Sequence, residues 1–178
     1  MYPIIKQIIR TGIVTEAAPL ADEAMRLQPQ RLQEEILRLL GSALCIRHVD
    51  AGSCNGCELE IHSVNNAHYN IEGLGIKFVA SPRHADMLLV TGPVSRHMAT
   101  ALRRTYDATP EPKLVVAIGD CSRDGGIFCA GGAENYAILG GVAEVIPVDV
   151  LVTGCPPTPT AILQGILTAI SRQASFSP

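Results

Sequence analysis

The spacing of hydrophobic and polar positions changes along the chain, and from residue 44 onward short apolar runs alternate with stretches of helical periodicity. The apolar runs are rich in Val, Ile and Leu and predict the β-strands Leu44–Val49, Ile76–Ala80, Ala85–Thr91, Leu114–Ile118 and Val148–Val152. The helical stretches predict helices over Cys57–Asn66, Ser95–Tyr106, Glu134–Leu139 and Thr160–Arg172. Apolar strands that alternate with helices are typical of a parallel sheet covered on both faces. We therefore predict an α/β domain over residues 44–174, with a flavodoxin-like doubly wound sheet of strand order 2-1-3-4-5.

Residues 1–43 form an amphipathic N-terminal extension and linker ahead of this domain. The extension begins with isoleucines at helical spacing and basic residues opposite them, which predicts an amphipathic helix that ends at Thr11-Gly12. This helix either packs on the domain itself or anchors the chain to a partner or a membrane surface. Two prolines mark a linker over residues 16–30, and a second amphipathic helix is predicted over residues 30–40.

The composition fits one folded domain and excludes several functional classes. Of the 178 residues, 47% are hydrophobic and 17% are charged, against about 25% charged residues in ordinary domains, so we expect part of the surface to be an interface. A net charge of −3 and the lack of Trp argue against a nucleic-acid partner. No apolar run reaches the roughly 18–20 residues that span a bilayer, and no signal peptide is recognisable. We therefore expect a cytoplasmic location.

Four of the six cysteines follow predicted strands: Cys54, Cys57, Cys121 and Cys155. The carboxyl ends of parallel strands meet at one edge of a sheet, where ligands bind. We expect the four thiols to converge there, and four converging thiolates bind either zinc or an iron–sulfur cluster.

Three features favour a [4Fe–4S] cluster. Cys54 and Cys57 form one close pair, whereas structural zinc sites usually use two such pairs. Each thiol-bearing loop is rich in glycine, which lets backbone N–H groups approach sulfur and tune the potential of a cluster. Cys155 is followed by Pro156, as is common at cluster ligands. Zinc and unliganded cysteines stay open as alternatives.

Other candidate residues carry weaker signals. Cys45 lies inside the first predicted strand, which favours a core position, and Cys129 is expected to be a bystander. Glu58 and Glu60 begin a predicted helix, where negative charge is favourable. Glu60 is alternatively a proton-relay carboxylate beside a redox centre. Arg83 either pairs with a nearby aspartate or lies near the active edge. No phosphate-binding glycine motif is present, so nucleotide binding is unsupported.

Several motifs together resemble one family. They are Ala51–Ile61, Ser81–Asp86, Gly119–Cys121 with Gly125–Phe128, and Pro147–Pro159. In this order they resemble the 20 kDa subunit family of respiratory complex I, which includes the small subunits of energy-converting, membrane-bound [NiFe] hydrogenases. The resemblance covers roughly residues 44–172.

This resemblance implies a flavodoxin-like domain with one [4Fe–4S] cluster, held by the four strand-end cysteines at an interface with a large subunit. Complex I members have two adjacent cysteines at the first ligand position, whereas Cys54-Asn55-Gly56-Cys57 resembles the hydrogenase branch, especially its formate hydrogenlyase type. The resemblance to this branch implies an electron-transfer subunit that passes electrons to the [NiFe] site of a hydrogen-evolving complex.

The implied partners are the hydrogenase large subunit, a ferredoxin-like iron–sulfur subunit and membrane arm subunits, on the cytoplasmic side of the membrane. A complex I-like NADH or ferredoxin:quinone oxidoreductase subunit is the alternative, as is a related complex whose large subunit has lost nickel. A stand-alone zinc- or flavin-binding domain is a remote third.

Overall fold

A computed structural model describes residues 2–12, 34, 38, 43–129 and 135–174. Within this part of the chain, the strands are β1 Leu44–Asp50, β2 Ile76–Phe78, β3 Met87–Thr91, β4 Val94–Ser95, β5 Leu114–Ile118, β6 Ile138–Gly140 and β7 Val150–Val152. The helices are α1 Tyr2–Thr11, α2 Gly56–Ser63, α3 Arg96–Ala108, α4 Asp120–Asp124 and α5 Pro159–Ala174. The linker predicted over residues 16–30 lies outside the described residues. So does most of the predicted helix over 30–40, although Glu34 and Arg38 are helical.

The main sheet confirms the predicted strand order. Among the described residues it runs β2-β1-β3-β5-β7, with every neighbouring pair parallel. Counting only these sheet strands along the chain, the order is 2-1-3-4-5, as the sequence predicts. β5 also has the bounds predicted for it, because a fully apolar and partly β-branched run favours a buried central strand.

The two faces of the sheet bury separate apolar cores. All five residues of β3 are buried, and successive side chains point to opposite faces. Met87 and Leu89 pack with Ile162 and Ile166 of α5 on one face. Leu88 packs with side chains that include Leu102 of α3 on the other face. Because the described helices cover both faces, the strand ends are the exposed part of the central sheet where a site can form.

The helix predicted over Glu134–Leu139 is wrong in the described residues 135–139. Residues 135–137 form a turn that leads into β6, which pairs antiparallel with β4. Asn135 explains the difference, because its side-chain Oδ1 accepts a hydrogen bond from the Ala137 N–H (3.0 Å) and its carbonyl accepts one from Ile138 (3.1 Å). Such local bonds favour a turn over a helix.

Candidate metal centre

All four strand-end cysteines lie beyond the carboxyl edge of the sheet. Cys54 and Cys57 follow β1, with Cys57 in the first turn of α2. Cys121 is the second residue of α4 after β5, and Cys155 follows β7. Cys54 and Cys155 are exposed, Cys57 is half-buried and Cys121 is buried. Three separate loops thus bring thiols to one edge, as predicted.

Two glycines let the chain pass directly beside these thiols. A methyl group on Gly119 would lie 2.7 Å from the Cys57 Sγ and 3.5 Å from the Gly154 carbonyl oxygen. A methyl group on Gly126 would lie 2.9 Å from the Cys121 Sγ. Both glycines have positive φ, +91° and +50°, which side chains rarely tolerate. The loops therefore form a cradle around sulfur that any larger residue would fill.

Aspartates shape the loops that carry the thiols. Asp50 Oδ1 accepts hydrogen bonds from the N–H groups of Gly52 and Ser53, both at 2.8 Å, just before Cys54. Asp124 Oδ1 accepts one from the Gly126 N–H at 2.9 Å. The loop conformations are thus held by local bonds before any ligand binds.

Burial raises the pKa of two of the four thiols. Burial raises the pKa of the Cys57 thiol to about 12, and the charges of Glu58 and the other strand-end thiolates act in the same direction. Burial and the charge of Cys155 also raise the pKa of Cys121, which the hydrogen bond from the Ile127 N–H partly offsets. Thiolates that repel one another ionise together only when a metal centre supplies positive charge.

Glu60, the predicted proton-relay residue, and its neighbour Glu58 differ in how deeply they are buried. Glu60 is partly buried, one turn beyond Cys57. Glu58 is 7% exposed, and neither carboxylate oxygen has a hydrogen-bond partner among the described residues. Its Oε1 lies 3.7 Å from His48 Nε2, and His48 also contacts the Thr91 hydroxyl at 3.1 Å. β1 also contains Arg47 and Asp50, so no sequence signal singles out His48 as the partner of Glu58.

A cavity of about 450 Å³ lies beside the thiols. It is lined by Asp120, Cys121, Arg123, Asp124, Gly126, Ile127, Cys129 and Cys155. Cys129, the expected bystander, therefore shares a wall with two strand-end cysteines. Two exposed apolar side chains, Ile127 (71%) and Leu59 (60%), flank the same edge.

The remaining candidates lie away from this edge. Cys45 lies near the amino end of β1, where its backbone N–H donates to Asp86 Oδ2 at 2.9 Å. Arg83 precedes β3 and is exposed, at the opposite end of the sheet from the thiols. Within the described ranges, no three or more His, Cys, Asp or Glu side chains, the four strand-end thiols included, are arranged as a group that could hold a single metal ion. No helix in these ranges is long and apolar enough to span a membrane.

Known proteins resemble this chain over most of its length. "Probable membrane-bound hydrogenase subunit mbhJ" of Pyrococcus furiosus is 43% identical over 150 residues, which are 83% of this chain and 87% of that protein. "Formate hydrogenlyase subunit 7" of Escherichia coli is 40% identical over 139 residues, which are 78% of this chain and 53% of that protein. This chain thus spans about half the length of the second relative.

A solved structure shares the architecture. A chain of the membrane-bound sulfane sulfur reductase, an archaeal respiratory membrane complex, aligns with a TM-score of 0.66 and 31% identity. The alignment covers 82% of this chain and 77% of that chain. These relatives are subunits of oxidoreductase complexes.

The family match coincides with the site. Residues 54–169 match the family described as "NADH ubiquinone oxidoreductase, 20 Kd subunit". This range contains all four strand-end cysteines. The chain therefore belongs to the 20 kDa subunit family of NADH-ubiquinone oxidoreductase.

Proposed function

We propose that this chain holds one [4Fe–4S] cluster through Cys54, Cys57, Cys121 and Cys155. In this proposal it is the electron-transfer small subunit of a membrane-bound hydrogenase complex that evolves H2, and it passes electrons to the [NiFe] site of the large subunit.

The convergence of four thiols from three loops on one glycine-lined edge carries the proposal. The donor set fits an iron–sulfur cluster, since thiolate is its preferred ligand. Gly119 and Gly126 leave room next to sulfur that no side chain occupies. Burial, with a smaller contribution from the neighbouring charges, raises the pKa of the Cys57 thiol, so a bound cationic centre would have to supply the charge that ionises it. When bound, the cluster supplies a one-electron acceptor and donor.

The chain's own residues hold, tune and cover this centre. The Ile127 N–H donates a hydrogen bond to the Cys121 sulfur. Such bonds stabilise negative charge on sulfur and adjust the reduction potential. The buried Cys121 and half-buried Cys57 face the protein, whereas Cys54 and Cys155 face outward. The outward side is where the proposed partner receives electrons.

The exposed apolar side chains around this edge support a large-subunit interface. Leu59 and Ile127 are large, apolar and exposed near the outward thiols, and a partner that covers this edge would bury both side chains. The further partners that we propose are a ferredoxin-like iron–sulfur subunit as the donor and the subunits of a membrane arm.

Helix α1 supports peripheral attachment at the cytoplasmic side of the membrane. Ile5 and Ile9 lie one turn apart and are 48% and 78% exposed. Lys6 and Arg10 are also exposed, and the helix has no acidic residue. An apolar face with basic neighbours binds a membrane interface that carries negative charge.

We also propose Glu60 as a proton-relay residue. Its carboxylate is partly buried one helical turn from Cys57, and residues at this spacing share a helix face. There it can hold a proton near the redox centre.

A complex I-like quinone oxidoreductase is the second candidate function. The family description supports it. The likeness to a chain of the sulfane sulfur reductase supports a third candidate function, in which sulfane sulfur is the electron acceptor. The separated pair Cys54 and Cys57 favours the hydrogenase branch, because the resemblance to complex I members predicts adjacent cysteines.

The ligand assignment is tested by Cys→Ser replacements in the purified complex. Replacement of any one of the four strand-end cysteines should lower the iron content of the complex, or alter the electron paramagnetic resonance (EPR) spectrum of the reduced protein. Cys45→Ser and Cys129→Ser are matched controls that should keep the wild-type iron content. Wild-type iron in Cys155→Ala would refute the assignment.

The activity is tested by assaying one purified complex with three acceptors. A reduced ferredoxin donor should drive H2 evolution, and the complex should contain nickel. Quinone reduction without nickel would favour the complex I-like function, and sulfane sulfur reduction would favour the third candidate function.

A further inference from the structure

Asp120 and Gly154 form a reciprocal pair of hydrogen bonds between two thiol loops. The Asp120 N–H donates to the Gly154 carbonyl at 2.9 Å. The Gly154 N–H donates in return to the Asp120 carboxylate Oδ1 at 3.0 Å. Asp120 directly precedes Cys121, and Gly154 directly precedes Cys155. The pair therefore ties together the backbones on which two of the proposed ligands are mounted.

The side chain of Asp120 supplies a bond that the strand backbones do not make. The β5–β7 ladder reaches the bond from the Gly119 N–H to the Val152 carbonyl at 2.8 Å. Beyond it, Gly119 and Gly154 adopt positive φ values of +91° and +135°, which turn both chains out of the sheet. The backbone bond from the Asp120 N–H to the Gly154 carbonyl still joins the two loops beyond this point, and the Asp120 carboxylate adds the second bond that holds their separation.

The same bonding pattern occurs at the other end of the same strand pair. The Asp149 N–H donates to the Val115 carbonyl at 2.9 Å, and the Val115 N–H donates to Asp149 Oδ2 at 2.7 Å. Asp149 thus joins β5 and β7 at their amino ends, remote from the thiols. The two aspartates make equivalent bonds, but only Asp120 lines the cavity beside Cys121 and Cys155.

We propose that Asp120 is a positioning residue that sets the separation of Cys121 and Cys155 and so makes the site fit its cluster. This inference rests on the proposed function. Asp120 acts through the backbone of the Cys155 loop and is not itself a ligand. Partners that orient ligands in this way are typically worth about 10- to 100-fold in metal affinity.

The test compares Asp120→Ala, Asp120→Asn and Asp149→Ala in the purified complex. We measure the rate of iron release to a chelator and the EPR spectrum of the reduced protein. Asp120→Ala should release iron faster, by up to the about 10- to 100-fold that such partners contribute to metal affinity, with a changed or broadened spectrum. Asp120→Asn keeps an oxygen that can accept the hydrogen bond from the Gly154 N–H, so it should show the wild-type release rate and spectrum. Asp149→Ala should leave both unchanged, although it removes an equivalent bond.

Three outcomes would overturn the inference. They are wild-type release and spectrum in Asp120→Ala, equal effects of Asp120→Ala and Asp149→Ala, or failure of Asp120→Asn to rescue. A wild-type complex without a cluster at these cysteines would instead refute the proposed function. The two failures are therefore distinguishable.

Discussion

Gly119→Ala should empty the proposed cluster site while leaving most of the fold intact. The added methyl group would lie 2.7 Å from the Cys57 Sγ, closer than real side-chain contacts allow. Little space is available on the other side, since the Gly154 carbonyl oxygen is 3.5 Å from the same methyl group. The Cys57 thiol must therefore move, and it moves away from the position that the other loops define.

The magnitude follows from two costs. The backbone of Gly119, at φ 91° and ψ 157°, lies in a region that is nearly restricted to glycine, and a side chain there costs about 1–3 kcal/mol. Forcing a methyl group into a packed site costs about another 1–3 kcal/mol. The total of about 2–6 kcal/mol compares with a stability of about 5–15 kcal/mol for a typical domain. The domain should therefore fold, but with Cys57 displaced.

Iron content and EPR of the reduced, anaerobically purified complex are the assay. Gly119→Ala should contain far less iron than the wild type while still assembling with its partners. Gly140→Ala is the matched control, because Gly140 also has a positive φ of +132° and its methyl group would meet only Glu144 Cγ, at 3.2 Å. Because this variant strains the backbone without displacing a thiol, its iron content should equal that of the wild type. Wild-type iron and spectrum in Gly119→Ala would refute this account of the cradle.

Glu60→Gln should keep full iron content but slow turnover and flatten the dependence of the cluster potential on pH; if Glu60 only stabilises the helix start, the change costs about 0.3–1 kcal/mol and turnover is normal. Ile5→Glu combined with Ile9→Glu should move the complex from the membrane fraction to the soluble fraction without iron loss, whereas unchanged attachment would mean that this face packs internally. Burial lowers the pKa of His48 below its ordinary value of 6.5, so the folded protein favours the neutral ring. Its stabilising contribution is complete above about pH 6.5 and is lost as the pH falls toward the lowered value. The thermal unfolding temperature in mild acid should therefore depend less on pH in His48→Gln than in the wild type. An equal pH dependence in the two proteins would contradict a lowered pKa of His48.

Much of the fold, and the edge of the sheet at which the four cysteines lie, could be predicted from local pattern. Apolar runs such as Leu114–Ile118 become buried strands because their residue types favour that state at almost any position in a sheet. Parallel strands place their carboxyl ends at one edge, so cysteines after three such strands had to share that edge. The motifs around them also identified the family, which the match over residues 54–169 confirms.

Local pattern failed where the outcome depends on a distant or competing partner. Glu134–Leu139 has helical spacing, yet Ile138–Gly140 pairs with Val94–Ser95. The buried carboxylate is that of Glu58, because the packing of α2 turns it toward His48 on β1. Helical spacing alone does not decide which of Glu58 and Glu60 is buried.

The sequence by itself determined which cysteines follow strands and so lie at the carboxyl edge of the sheet, because the apolar runs that form strands and the residues that follow them are local properties of the chain. Only the tertiary structure decided how those thiols are held. Gly119 contacts Cys57 across the gap between two strand ends, and Asp120 bonds to Gly154, 34 positions away. The first contact depends on how the loop after β1 meets the loop after β5, and the second depends on the register of β5 against β7. Register is a property of the assembled sheet, because hydrogen bonds between strands form only once both strands are in place.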